Sequence, residues 1–294
     1  MHNAVRIKLE SMHKMPSIPA LLYPLLKYLE RPLEKVEMRE IVDLISRDES
    51  LAAQCLQFAN SPLFGRWQRI DTVRAAVLSL GVRRMQDIAL SCCILKITPS
   101  DRSVLDPITF WEHSLGCALL CRHFARSIGF VNPDRAYLVG LLHDIGLLVN
   151  LWVVPKEFAN AVQTARTQKI ALYDAEMDTM GLSHCETGAL LAERWRFALE
   201  ICEVIRHHHD AERAHSQKGL VALVSLTDLL CRMRALGYGY AEEREVDFTR
   251  QEAFFILLEE CPALKKFDWA RFTLELEPYM EEVKRLVASI FRVS

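Results

Sequence analysis

The sequence predicts an all-α fold, a multi-helix bundle built in two parts. Three observations carry that expectation. Apolar residues recur at the three- and four-residue spacing of helices along most of the 294 residues. N-cap residues, first-turn prolines and terminal glycines punctuate the chain at short intervals. Val, Ile and Thr nowhere cluster in alternating runs between turn signals, as strands require.

The elements follow in order. Ser17 can cap a helix that begins near Pro19 and carries the stripe Leu21, Leu22, Leu25, Leu26 and Leu29. Ile41, Leu44 and Ile45 mark a second helix. A third runs from Ser50 to Ala59 and ends at Asn60-Ser61-Pro62, because Asn tolerates the left-handed terminal position and Pro cannot continue a helix. Asp71 or Thr72 opens Val73–Leu80, Gly81 closes it, and Val82–Ile97 is helical again. The polar stretch Thr98–Ser103 is the expected boundary between residues 1–100 and 101–294. Beyond it Asp106-Pro107 starts the helix that holds Phe110-Trp111-Glu112-His113. Asn132-Pro133-Asp134 starts a core helix that runs to His143-Asp144, with Gly146 helping it stop or kink. Ser183 and Glu186 read as a capping box, and Thr249 and Glu252 as another. Ile201–Ile205 leads into His207-His208-His209-Asp210, Val221–Arg234 carries Asp228, and an amphipathic helix spans about Glu277–Phe291.

Composition narrows the function classes. An apolar content of 51% supports a sizeable core without covalent staples. A net charge of −2 argues against a general nucleic-acid binder and a polybasic membrane anchor. Nine cysteines without a CxxC pair read as buried, reduced thiols. Met1–Lys8 lacks the apolar run of a signal peptide, and the longest apolar stretch, Leu138–Val154, is interrupted by His143, Asp144 and Asn150. A cytoplasmic protein with no membrane partner is expected.

Polar groups lodged in apolar helices carry the chemistry. They are His113, His143, Asp144, His184, His208 or its neighbours, and Asp228. Imidazole nitrogens and carboxylate oxygens converging from several helices make a metal site, and one Asp can bridge two ions. Each residue also has a plainer reading. His113 fits a hydrogen-bonded core histidine, His184 a local capping group, and His207–His209 a solvated turn. Asp228 requires a partner or solvent, since an unpaired buried carboxylate is costly.

The second part resembles the HD superfamily of metal-dependent phosphohydrolases, and the whole chain resembles the HDOD domain of bacterial signalling proteins. The resemblance begins near Met15-Pro16. It rests on Asp48 and Leu51, Ala59-Asn60-Ser61-Pro62-Leu63-Phe64-Gly65, and Ile70 with Ala75-Ala76 and Leu80-Gly81. It continues through Phe110-Trp111-Glu112-His113-Ser114, Gly140–Gly146, His208-His209 and Asp228. It implies an HD-like helical part behind an N-terminal helical HDOD extension. The catalytic HD pattern falls on His113, His143, Asp144 and Asp228, and the HD-GYP branch adds His184, His208 and His209. The resemblance thus implies a site for one or two divalent transition metal ions, Fe, Mn, Ni or Zn, with Asp144 as bridge.

Three departures stand against the catalytic branch. Leu147 replaces a Lys, Thr109 an acidic residue, and Asp210-Ala211-Glu212-Arg213 a Gly-Tyr-Pro segment. The expectation is therefore a signal-transduction output module that links an upstream sensor or receiver to a regulated protein. The alternative is a metal-dependent phosphohydrolase acting on a nucleotide or cyclic dinucleotide; a helical scaffold with accidental histidines is the third reading. Trp67 between Arg66 and Arg69 is a candidate partner contact.

Overall fold

The computed structural model describes residues 17–29, 31, 35–64, 69–99, 102–234, 236–243 and 246–292. No strand occurs among them, as expected. The start of the family-like segment at Met15-Pro16, and Arg66 and Trp67, lie outside the described residues.

The chain divides into two compact units, Pro16–Thr98 with Glu275–Ser294, and Pro99–Leu274. The first break falls where the polar stretch begins. The sequence reading assigned residues 275–294 to the second part, whereas they group with residues 16–98.

In the smaller unit, α1 (Leu22–Leu29), α2 (Met38–Ser46), α3 (Glu49–Ala59), α4 (Val73–Leu80) and α5 (Val82–Leu95) follow one another. Helix α5 packs on each of the other four. Helix α3 is capped by Asp48, whose side chain accepts from the Leu51 amide at 2.9 Å and also pairs with Lys96. Thr72, not Asp71, caps α4. Gly81 at φ +88° ends α4 and leads into α5, a backbone conformation that glycine adopts without strain.

Asn60 differs from expectation. It is right-handed, at φ −87°, and its side chain does the work of the turn. The amide donates to the carbonyls of Leu56 and Ile70, both at 2.8 Å, and its oxygen accepts from the Ile70 amide at 2.8 Å. Asn60→Ala removes all of these bonds and is expected to cost about 2 kcal/mol, read as a lower denaturant midpoint with unchanged slope.

The larger unit begins with α6 (Pro107–Ser127), which packs along α7 (Pro133–Leu142). Asp106 caps α6 by accepting from the Ile108 amide, and Asn132 at φ +65° caps α7 by accepting from the Arg135 amide. Then come α8 (Ile145–Val153), α9 (Pro155–Gln168), α10 (Leu172–Met180), α11 (His184–Arg194), α12 (Leu199–His207), α13 (Lys218–Met233) and α14 (Glu252–Glu260). Helix α15 (Trp269–Arg292) starts in this unit, and its residues from Glu275 onward belong to the smaller one. It begins eight residues earlier than the expected Glu277 and contains Pro278.

Of three expectations about helix ends, one holds and two need adjustment. The Ser183–Glu186 capping box is present. The Thr249–Glu252 box is not: Gln251 precedes α14 without a side-chain cap, and Thr249 instead bonds to Asp247. Gly146 does not stop a helix. The break falls at His143-Asp144, and Gly146 is the second residue of α8. Pro133–Val153 together are long and apolar enough to cross a bilayer, where the sequence reading found no such run, but 89% of the apolar window is buried inside the protein. It supplies the core on which the site is built.

Candidate metal centre

Five segments of the larger unit bring the predicted residues together. Helix α6 supplies His113, the α7–α8 break supplies His143 and Asp144, and the start of α11 supplies His184. The C-terminal end of α12 supplies His208 and His209, and α13 supplies Asp228. His113, His143, Asp144, His184, His208 and Asp228 are buried, and His209 is partly exposed.

Close backbone packing makes the convergence possible. A Cβ on Gly146 would stand 1.9 Å from the His184 carbonyl oxygen, and one on Gly188 would meet the Gly146 amide at 3.0 Å. Helices α8 and α11 therefore touch backbone to backbone, which sets His184 against Asp144.

The donors form two sets that share Asp144. In the first, Asp144 Oδ2 lies 3.2 Å from His113 Nε2 and 3.1 Å from His143 Nε2. Asp228 Oδ1 lies 3.2 Å from His113 Nε2, and the two Nε2 atoms are 3.2 Å apart. In the second, Asp144 Oδ1 lies 3.1 Å from His184 Nε2 and 3.3 Å from His208 Nε2. His184 Nε2 is 3.4 Å from His208 Nε2 and 3.2 Å from His209 Nε2.

The histidine tautomers follow from their outer contacts. His113 Nδ1 is 2.6 Å from the Leu236 carbonyl, His143 Nδ1 is 2.8 Å from that of Gly140, and His208 Nδ1 is 3.0 Å from that of Ile205. A carbonyl only accepts, so each Nδ1 is assigned the hydrogen. His184 Nδ1 donates in the same way to Glu176 Oε2 at 2.5 Å. In these four rings, when neutral, each Nε2 then presents a bare lone pair to the centre.

Lone pairs and carboxylate oxygens facing one another at 3.1–3.4 Å repel unless shared protons or a cation lie among them, and a cation bound there displaces those protons. Donors about 2.1 Å from one ion sit about 3.0 Å apart at octahedral angles and about 3.4 Å apart at tetrahedral ones. The spacing, the inward Nε2 atoms and the outer bonds on Nδ1 all fit divalent metal ions. Asp144 Oδ1 supports the fit, since it is buried without a hydrogen-bond partner.

The electrostatics point the same way. Burial works to raise the Asp144 carboxyl, but His143 and His184 hold it well below the usual carboxylate range. Burial likewise opposes Asp228, and Arg232 overcomes it. Burial lowers His113, yet Asp144 and Asp228 push it up to about 10. The two carboxylates attract positive charge to the centre, which a divalent ion supplies.

The sequence reading did not find the outer residues. Glu176 is fully buried; besides His184 Nδ1 it accepts from the His184 amide at 2.8 Å and from Asn150 Nδ2 at 2.9 Å. Nothing in the spacing of Glu176 and His184 announces this. Glu176→Gln is expected to weaken metal binding about 10- to 100-fold, measured by competition with a calibrated chelator. Arg232 was legible as an i,i+4 partner of Asp228. Its Nη2 reaches Asp228 Oδ2 at 2.9 Å, and its Nη1 reaches Glu242 at 2.7 Å. Cys117 and Cys185 approach His113 Nε2 and His208 Nε2 at 3.9 and 3.8 Å. Burial raises the Cys185 thiol, but His208 and His184 bring it down to about 7. His207 stands apart and faces His215.

A cavity of about 290 Å³ adjoins the centre, with His209, Asp228 and Arg232 in its wall beside Asp210 and Glu252. It sits at the lower edge of ordinary ligand pockets, about 300 Å³.

Comparison with known proteins follows the same lines. The family model for the HDOD domain matches residues 15–211. A crystal structure of an HDOD domain protein of unknown function from Geobacter sulfurreducens is 30% identical, with a TM-score of 0.82, covering 97% of this chain and 96% of that one. A provisionally named phosphohydrolase from Shewanella amazonensis SB2B shares the fold at 20% identity and a TM-score of 0.72, covering 97% and 98%. An uncharacterized protein of Treponema pallidum (strain Nichols) is 27% identical over 227 residues, 74% of this chain. The chain spans 42% of the length of that relative. By the family match and the Geobacter structure, this chain belongs to the HDOD domain family.

Proposed function

We propose that the chain is a signal-transduction module of HDOD type whose larger unit binds a pair of divalent transition metal ions. One observation carries the reading: the two oxygens of Asp144 each face a separate group of inward-turned Nε2 atoms. His113, His143 and Asp228 would hold one ion, His184, His208 and His209 the other, and Asp144 would bridge them. Mixed imidazole and carboxylate donors suit Fe, Mn, Ni or Zn. In this reading the module works in the cytoplasm, takes its state from an upstream sensor or receiver and passes it to a protein partner.

A second reading, hydrolysis of a nucleotide or cyclic dinucleotide, is favoured by the cavity at His209, Asp228 and Arg232. When bound, the ions supply Lewis-acid polarisation of a phosphoryl oxygen and acidification of a water. The chain itself orients the imidazoles through Glu176 and the backbone carbonyls, and excludes solvent from all donors but His209.

Metal-loaded protein and a His143→Ala/Asp144→Ala double variant are compared for metal content and for turnover of nucleotides and cyclic dinucleotides. The signalling reading expects metal in the first, none in the second, and turnover in neither. Turnover that disappears in the variant establishes the second reading. Turnover unchanged in the variant removes this centre as its source.

A further inference from the structure

The two donor sets differ in their access to solvent. His113 and His143 are fully buried and do not border the cavity. Between them and the cavity stands Asp228, which turns Oδ1 to His113 and Oδ2 to Arg232. Arg232 is itself held from the far side by Glu242, so this ion pair acts as a wall fixed at both ends. The second set is built otherwise. The His209 side chain is 16% exposed, against 0–3% for the other six residues, and it borders the cavity directly. Its Nε2 lies 3.2 Å from that of His184, so an opening at His209 reaches that set. Tyr173 packs on the His209 ring at 4.8 Å between centroids, but no ion pair among the described residues lining the cavity clamps His209 as Arg232 clamps Asp228.

We infer that the two ion positions are unequal. The one formed by His113, His143 and Asp228 is sealed and holds its ion as part of the fold. The one formed by His184, His208 and His209 exchanges its ion through the cavity and accepts a small outside ligand, water or a phosphate-sized anion. This rests on the two-ion reading above, and a metal site with an open position is the kind that binds ligands.

The test follows zinc released from zinc-loaded protein into a colorimetric chelator, after elemental analysis has fixed the starting content. Two phases of equal amplitude are expected, with rates at least ~10-fold apart. His209→Ala should remove the fast phase and leave the slow one, and His113→Ala should remove the slow one. Arg232→Lys keeps the charge but loses the forked grip on Asp228; it should speed the slow phase about tenfold. Release of both ions in one phase, or loss of the slow phase in His209→Ala, overturns the inference while leaving the two-ion reading intact. Absence of zinc before the chelator is added overturns that reading, and the inference with it.

Discussion

Gly146→Ala is expected to destabilise the protein by about 3 kcal/mol and to disrupt the second donor set. Helix propensity alone predicts the reverse, since Ala is favoured over Gly inside a helix by about 1 kcal/mol. Sterics decide the sign. The new methyl would stand 1.9 Å from the His184 carbonyl oxygen and 2.7 Å from the Gly188 amide nitrogen. Both obstacles are backbone, so relief requires α11 to move away from α8 as a body. That motion carries His184 away from Asp144 Oδ1, now 3.1 Å distant. Chemical denaturation reads the first effect, and metal content reads the second. A variant as stable as the parent with its metal intact would show that the two helices do not meet as closely as described.

Asp144→Ala is expected to remove both ions, where His184→Ala removes one. The reason is geometric. Oδ2 lies within 3.2 Å of the two histidines of the first set, and Oδ1 within 3.3 Å of two in the second. No other residue joins both groups in this way among the described residues. The substitution also takes a negative charge from a largely buried centre, so the histidines lose the anion that offsets a divalent cation. Folding is checked alongside by circular dichroism, because removing one member of a buried charged group is itself destabilising. Elemental analysis after metal loading checks the result. An Asp144→Ala protein that keeps one ion would remove the bridging role.

The helical class and most element boundaries were legible because caps and apolar spacing are local signals. Asp106, Asn132 and Ser183 sit where their capping chemistry implies. The misreadings came where a side chain had two uses. Asn60 was read by its tolerance of left-handed backbone, yet it bonds to Ile70 ten residues away. Gly146 reads from its sequence as helping a helix stop or kink, yet its missing Cβ serves contact with α11 far along the chain. Thr249 bonds to Asp247, two residues back, instead of capping the helix ahead.

The inner site residues were legible because imidazoles and carboxylates in apolar helices are costly unless they meet. The family resemblance then fixed their order. The outer residues were less so. Glu176, Glu242 and the Leu236 carbonyl act across long sequence separations and have no local signature. Arg232 did have one, four residues after Asp228 on the same helix. Its cation lies beside the centre.

The most direct test of the two-ion centre is metal content by elemental analysis of the full chain, after loading and again after dialysis against chelator, with Asp144→Ala alongside. The account predicts about two transition metal ions per loaded chain and none in the variant. A loaded chain with no metal, or a variant holding as much as the parent, would contradict it.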